Sequence, residues 1–143
     1  MKYLILDAKK HWECLEKKYG LPLREKLDPI EVPKLLGNSC LIQVLNGGLD
    51  FKYLIIGSGI QAISRLGQTG KKVSELESQK KPSKIFNLFT LVVETKLPQY
   101  SQLEYIGKDK RVKYVDIGVF PFATHSIPRT VSFLWSITQA TSF

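Results

Sequence analysis

The chain has 143 residues, 43% of them hydrophobic and 24% charged, which predicts one ordinary globular domain that can bury its own core. The apolar run at residues 3–6 is too short for a secretory signal, and no stretch reaches the roughly 18 apolar residues that a membrane span needs. The sequence therefore argues against secretion and membrane insertion and favours the cytoplasm, where both cysteines are expected to be reduced. The formal net charge of +8 comes from scattered lysines without an interleaved stripe of arginines and aromatics, so nucleic-acid binding is not expected.

The N-terminal segment predicts a helix over residues 7–19, capped by Asp7 and ended by Gly20. Its apolar positions recur at helical spacing and form one stripe, made of Ala8, Trp12, Leu15 and Tyr19. This stripe is free either to cover a sheet face or to pair with a second copy. We expect a homodimer through this helix or through the exposed sheet face, with Trp12, Leu15 and Tyr19 as candidate contact residues for the dimer or another partner. Residues 28–31 predict a short capped turn, and residues 1–37 are expected to hold the helix and a connecting segment.

The middle of the chain changes from strand to helix periodicity. Residues 40–45 and 51–56 are short apolar runs on either side of Asn46-Gly47-Gly48, which predicts an antiparallel hairpin. Residues 58–82 are interrupted by glycines and a proline and leave room only for short helices. Residues 83–96 predict a longer helix with Ser83 as its cap.

The last third predicts three strands, over residues 100–106, 111–122 and 130–138, with a charged turn at 107–110. In the last strand the side chains alternate, so that Val131, Phe133, Trp135 and Ile137 share one face. Five strands need one common sheet to bury their apolar faces. The sequence therefore predicts an α+β fold in which residues 38–140 form a five-stranded antiparallel sheet with short helices on one face, and the N-terminal helix is an addition.

Several short motifs occur in the order found in one known family. They are Leu21-Pro22-Leu23-Arg24, Leu27-Asp28-Pro29, Pro33-Lys34-Leu35-Leu36, Phe51-Lys52-Tyr53 with Gly57, Gly67-Gln68-Thr69-Gly70-Lys71, Tyr114 and Phe120-Pro121-Phe122. Together with Trp12 they resemble stand-alone bacterial PAS proteins of the PAS_5 type, over roughly residues 10–138. The resemblance implies the PAS fold and a sensory or protein-interaction role. It implies no catalytic residue and names no cofactor.

The resemblance leads us to expect a non-enzymatic domain that signals by contact with a partner protein or through a small apolar ligand. Candidate ligand-contacting side chains between the sheet and the longer helix are Phe89, Val92, Tyr105, Tyr114, Phe120, Phe133 and Trp135. The same residues also describe an ordinary packed core, so a ligand-free interaction protein stays open as an alternative.

A second alternative is dinucleotide binding. Gly57-Ser58-Gly59 follows an apolar strand, and Glu77 lies 20 residues further on, as in the fingerprint of FAD and NAD enzymes. We disfavour this interpretation because the helix after Gly59 is too short to recross a parallel sheet. A zinc site built from His11, Cys14, Cys40 and His125 is disfavoured by their spacing, and no nucleophile elbow is present.

Overall fold

The computed structural model describes residues 3–27, 33–63, 68–105 and 112–142. Its strands are β1 (Ser39–Leu45), β2 (Asp50–Ile56), β3 (Gln99–Glu104), β4 (Val112–Phe122) and β5 (Phe133–Ser142). They form one antiparallel sheet in the order β2-β1-β5-β4-β3. The predicted five-stranded antiparallel sheet is therefore confirmed. The predicted turns at 28–31 and 107–110 lie outside the described residues.

The hairpin of β1 and β2 follows the prediction. The two strands join through a 3-10 turn at Asn46–Gly48, in which Asn46 and Gly47 adopt left-handed backbone angles with φ of 50° and 69°. Asparagine and glycine tolerate this conformation better than other residues, so these residue types at these positions fix a tight reversal. The reversal brings Leu45 opposite Asp50 and sets the register of the pair.

Within the described residues, four α-helices accompany the sheet: α1 (Tyr3–Tyr19), α2 (Pro33–Leu36), α3 (Ser58–Ile63) and α4 (Lys84–Thr95). The α4 helix matches its prediction, since the Ser83 hydroxyl accepts a hydrogen bond from the backbone N–H of Phe86 at 3.1 Å. Its buried side chains, Phe86, Leu88, Phe89 and Val92, pack against one face of the sheet. The sequence thus predicts both the cap and the buried face of this helix.

The α1 helix differs from its prediction at its start. It begins at Tyr3 rather than at residue 7, so Asp7 lies inside the helix and does not cap it. The reason is tertiary packing, because Leu4 and Ile5 are buried against the sheet face opposite α4 and hold the first turn in place. The close approach depends on Gly118 of β4, where a Cβ atom would lie 2.8 Å from the Ile5 side chain.

The predicted partner stripe of α1 is corrected by its burial. Trp12 is only 2% exposed and packs with Phe120, Phe122 and Trp135, and Leu15 packs against the same cluster. Trp12 therefore cannot offer a contact surface to a second chain while α1 is docked. The side chain of Tyr19 lies outside the described part of the chain. Of the two roles considered for this stripe, covering a sheet face is the one the structure shows.

Both faces of the sheet are buried, in two separate cores. One core lies under α4 and includes Ile42, Phe51, Val119 and Leu134, while the other lies under α1 and includes Trp135 and Ile137. Neighbouring residues of β5 thus belong to different cores, as strand alternation requires. β5 runs from 133 to 142 instead of the predicted 130–138, because residues 139–142 continue to pair with the long strand β4.

Among residues 3–27, 33–63, 68–105 and 112–142, no helix has the length and apolar character needed to cross a membrane. The predicted boundary between an N-terminal segment, residues 1–37, and a sheet core, residues 38–140, stays a prediction.

Candidate ligand cavity

A cavity of about 520 Å³ lies between the sheet and α4, and we call it the sheet–helix cavity. Its apolar walls come from Phe89 and Ile85 of α4, from Val115 and Ile117 of β4, and from Leu103 of β3. The strands supply these wall residues at alternate positions because successive side chains point to opposite faces of the sheet. The cavity therefore occupies part of the space that would otherwise belong to the core under α4.

The floor of the cavity consists of three small polar residues, Cys40 of β1 and Ser136 and Thr138 of β5. Cys40 and Ser136 are directly paired across the adjacent strands β1 and β5, and both are buried. Burial raises the pKa of the Cys40 thiol from 9.0 to about 11, and hydrogen bonds with Ser136 and the Gly57 backbone oppose this rise only in part. The thiol is therefore neutral at physiological pH.

Tyr53 of β2 brings a hydroxyl group to the side of the cavity. This hydroxyl donates a hydrogen bond to the Oε1 atom of Gln79 at 2.6 Å. Burial raises the pKa of Tyr53, and negative charge on Cys40 would raise it further, while the bond to Gln79 lowers it. Tyr53 is 3% exposed, so it presents a neutral, fixed phenol to the interior.

The mouth of the cavity consists of four exposed residues, Glu77, Ser78, Lys84 and Glu104. Glu77 forms an ion pair with Lys80 at 3.0 Å, and the ammonium of Lys84 donates to the carbonyl oxygen of Gln102 at 3.0 Å. Charge is thus confined to the solvent-facing end of the cavity, while the described buried lining carries neutral groups.

The candidate ligand residues named from the sequence divide between the two faces of the sheet. Phe89 and Tyr105 line the cavity, and Val92 lies buried in the core on the same side. Tyr114 is 41% exposed and does not line it.

The prediction is wrong for Phe120, Phe133 and Trp135, which lie on the opposite face and pack in the core under α1. Alternation along β5 correctly places Phe133 and Trp135 on the same face of the sheet. It does not indicate whether α1 or α4 covers that face. The lining residues Cys40, Tyr53, Ser136 and Thr138 were missed. The available signal was the pair Ser136 and Thr138, two small polar residues that alternate with the apolar residues Leu134, Trp135 and Ile137 in the first half of β5.

The glycines of the dinucleotide-like motif have a different role from the one the motif suggests. A Cβ atom on Gly57 would lie 2.5 Å from the carbonyl oxygen of Gly37 and closer still to that of Leu36. The backbone N–H of Gly59 donates to the same Gly37 oxygen at 2.9 Å. The amides that would approach a pyrophosphate are therefore in use by the chain itself.

The sheet connections also exclude the dinucleotide fold. β2 pairs antiparallel with β1, and the segment containing Lys72 meets Lys52 through an antiparallel bridge rather than as a parallel strand after a crossover. Dinucleotide sites of this type need the parallel βαβ unit. The alternative based on Gly57-Ser58-Gly59 and Glu77 is thus corrected.

Within the described ranges, no group of three or more His, Cys, Asp and Glu side chains lies close enough together to hold a metal ion. Cys14 is exposed on α1 and Cys40 is buried beneath the opposite face of the sheet, so the two thiols lie in different layers.

Comparison with solved structures gives a match to a sensory box sensor histidine kinase from Vibrio cholerae. The TM-score is 0.56 over 80% of this chain and 91% of that chain, at 10% sequence identity. This chain has a PAS-like fold. No family model and no curated protein matches the sequence, and the closer likeness to the PAS_5 type stays a prediction.

Proposed function

We propose that this chain is a cytoplasmic, non-enzymatic PAS-type sensory domain that binds a small, largely apolar ligand in the sheet–helix cavity. The observation that carries the proposal is the composition of that cavity, in which apolar walls surround a floor of small hydrogen-bonding groups. Ligand sites in proteins are mostly apolar with a few well-placed polar groups, and volumes of about 300–1,000 Å³ are typical. The sheet–helix cavity has both properties.

The position of the floor supports a sensory role. Ser136 and Thr138 belong to β5, and Trp135 and Ile137 of the same strand pack under α1 on the other face. A ligand that contacts the floor therefore touches the strand on which α1 rests. Ligand binding can change the packing of α1 only if α1 has two arrangements against the sheet and the ligand binds the protein with different affinity in each.

The partner that receives such a signal is a second copy of this chain or another protein. Because Trp12 is buried, the contact would use exposed side chains of α1, such as Tyr3 and Leu6, which are 67% and 38% exposed. Sedimentation of the protein with and without ligand measures whether a homodimer forms and whether ligand changes it.

The test of ligand binding is a thermal-shift screen against a metabolite panel, repeated with Thr138→Leu and Thr130→Leu. Thr138 lines the cavity, whereas Thr130 is exposed and does not line it, so the same substitution fills the cavity in one variant only. We expect some compounds to raise the melting temperature of wild type and Thr130→Leu but not of Thr138→Leu, because only binding to the native state shifts it.

Two outcomes would contradict the proposal. Compounds that stabilise Thr138→Leu as strongly as wild type bind elsewhere. A panel without any hit, combined with a higher melting temperature of unliganded Thr138→Leu, would favour the ligand-free interaction protein, because filling an empty cavity then only improves packing.

A further inference from the structure

The described lining of the sheet–helix cavity separates neutral from charged groups. The buried polar side chains, Cys40, Tyr53 and Ser136, are neutral, and the charged lining residues, Glu77, Lys84 and Glu104, are all exposed at the mouth. An ion that enters the cavity would lose its water and, among the described lining residues, would find no buried partner of opposite charge, which is strongly unfavourable.

The mouth does not compensate for this loss. Among the described residues its charges balance, because Glu77 is paired with Lys80 and Glu104 offsets Lys84, so no excess of positive charge attracts an anion, and Lys84 already donates to the Gln102 carbonyl. A cation would meet Glu77 and Glu104 only where water and salt screen them, and Glu77 is paired with Lys80.

The floor offers hydrogen bonds of a defined kind. The backbone N–H and C=O of Thr138 both bond with Asn38, at 2.9 Å and 3.0 Å, so the side chain is the part of Thr138 that can meet a ligand. Ser136 lies two residues away on the same strand and face. Hydroxyl groups both donate and accept, and they suit a carbonyl, amide or hydroxyl group.

We propose that the sheet–helix cavity selects an uncharged ligand, with an apolar body and a carbonyl, amide or hydroxyl group directed at Ser136 and Thr138, and that it rejects carboxylates, phosphates and organic cations. This inference rests on the proposed function, because it names the class of ligand that the same cavity takes.

Cys40 provides a direct test that needs no knowledge of the natural ligand. It lies in the floor, whereas Cys14 is exposed on α1, so Cys14→Ser leaves Cys40 as the single thiol of the full chain. The folded variant is treated with three methanethiosulfonates of similar size that carry an uncharged 3,3-dimethylbutyl, a sulfonatoethyl or a trimethylammonioethyl group. In each reaction the thiolate forms a mixed disulfide and releases methanesulfinate.

Rates of modification are followed by mass spectrometry and divided by the rate of each reagent with 2-mercaptoethanol, an uncharged thiol. The raised pKa of Cys40 slows all three reactions by the same factor, so the normalised ratios report access to the cavity. We expect the normalised rate of the 3,3-dimethylbutyl reagent to exceed those of both charged reagents by at least about tenfold, since a tenfold ratio reflects only about 1.4 kcal/mol of discrimination. Cys40→Ser, which retains the exposed Cys14, is the matched control and should show no such preference.

The outcomes separate this inference from the proposed function. Equal normalised rates for the three reagents, or a preference for either charged reagent, would refute the inference that the cavity selects uncharged ligands. The proposal that the cavity binds a ligand would still stand. Modification of Cys40 only as fast as the protein unfolds would show a closed interior and overturn both.

Hits from the thermal-shift panel give the second measurement. Uncharged hits should bind at least about tenfold more weakly to Thr138→Val, which removes the hydroxyl at nearly constant shape, than to Thr130→Val. A set of hits dominated by anions, or an unchanged affinity for Thr138→Val, would refute the assignment.

Discussion

The indole N–H of Trp12 donates a hydrogen bond to the backbone carbonyl oxygen of Pro121 at 2.9 Å. Both groups are buried, and the bond joins α1 to β4 across 109 residues of sequence. The aromatic stripe of α1 therefore serves the folding of its own chain. This relationship makes the N-terminal helix part of the domain core.

Replacing Trp12 with Phe should lower the free energy of unfolding by about 1–3 kcal/mol, because the ring is largely kept but the Pro121 oxygen loses its buried donor. Urea denaturation measures the change. Tyr3→Phe, on the exposed part of the same helix, should stay within about 0.5 kcal/mol of wild type. Unchanged stability of Trp12→Phe together with loss of a dimer would instead restore the partner-contact interpretation.

Gly57→Ala should prevent folding or destabilise the chain by about 3 kcal/mol or more, because its Cβ would overlap the carbonyl oxygens of Leu36 and Gly37. Gly37→Ala is the matched control, since its Cβ would have an ordinary contact with Ser58 at 3.8 Å. Circular dichroism with thermal melting compares the two. If Gly57→Ala melted like wild type, the close approach of these two segments would be wrong.

Ser83→Ala should destabilise the protein by about 1 kcal/mol, because the backbone N–H of Phe86 loses the hydroxyl that caps α4. Ser83→Thr keeps both the acceptor for Phe86 and the donor to the Gln79 carbonyl oxygen and should recover most of the loss. The free energy of unfolding in urea distinguishes the three proteins. An equal loss in both variants would assign the effect to something other than the cap.

The stability contributed by the neutral Cys40 thiol should disappear at alkaline pH. Its pKa is raised on folding, so the contribution is fully present below the unfolded pKa of 9.0 and is lost as the pH rises through the folded value of about 11. Relative to Cys40→Ala, wild type should lose up to about 3 kcal/mol across this window. Cys14→Ala removes the exposed thiol and should show the same pH dependence of the free energy of unfolding as wild type. If the free energies of unfolding of wild type and Cys40→Ala changed in parallel with pH, the burial argument would be disproved.

Local signals in the sequence were sufficient for most of the secondary structure. Asn46-Gly47 predicted the hairpin reversal and Ser83 predicted the start of α4, because each depends on bonds or backbone angles within a few residues. The first turn of α1 was missed because it depends on Leu4 and Ile5 meeting a sheet more than 100 residues away in sequence. Propensity carries no information about such contacts.

The cavity could not be predicted for a related reason. Alternation in β5 groups Phe133 with Trp135 and Ser136 with Thr138, but helices cover both faces, so neither set is the solvent face. An aromatic set looks like a ligand wall and a Ser/Thr set looks exposed. The structure reverses these expectations, because large rings fill the space under α1 and small side chains leave space under α4.

The order of the sheet also affects how the protein can be made. β5 comes last along the chain but lies in the middle of the sheet, between the β1–β2 hairpin and the β3–β4 hairpin. On the ribosome these two halves can form separately, yet neither can be joined to the other until the residues of β5 have left the exit tunnel. The sheet is therefore completed only after residues 133–142 are synthesised and free to pair, and a ribosome stalled before β5 would display the unpaired edges of β1 and β4 to chaperones and proteases.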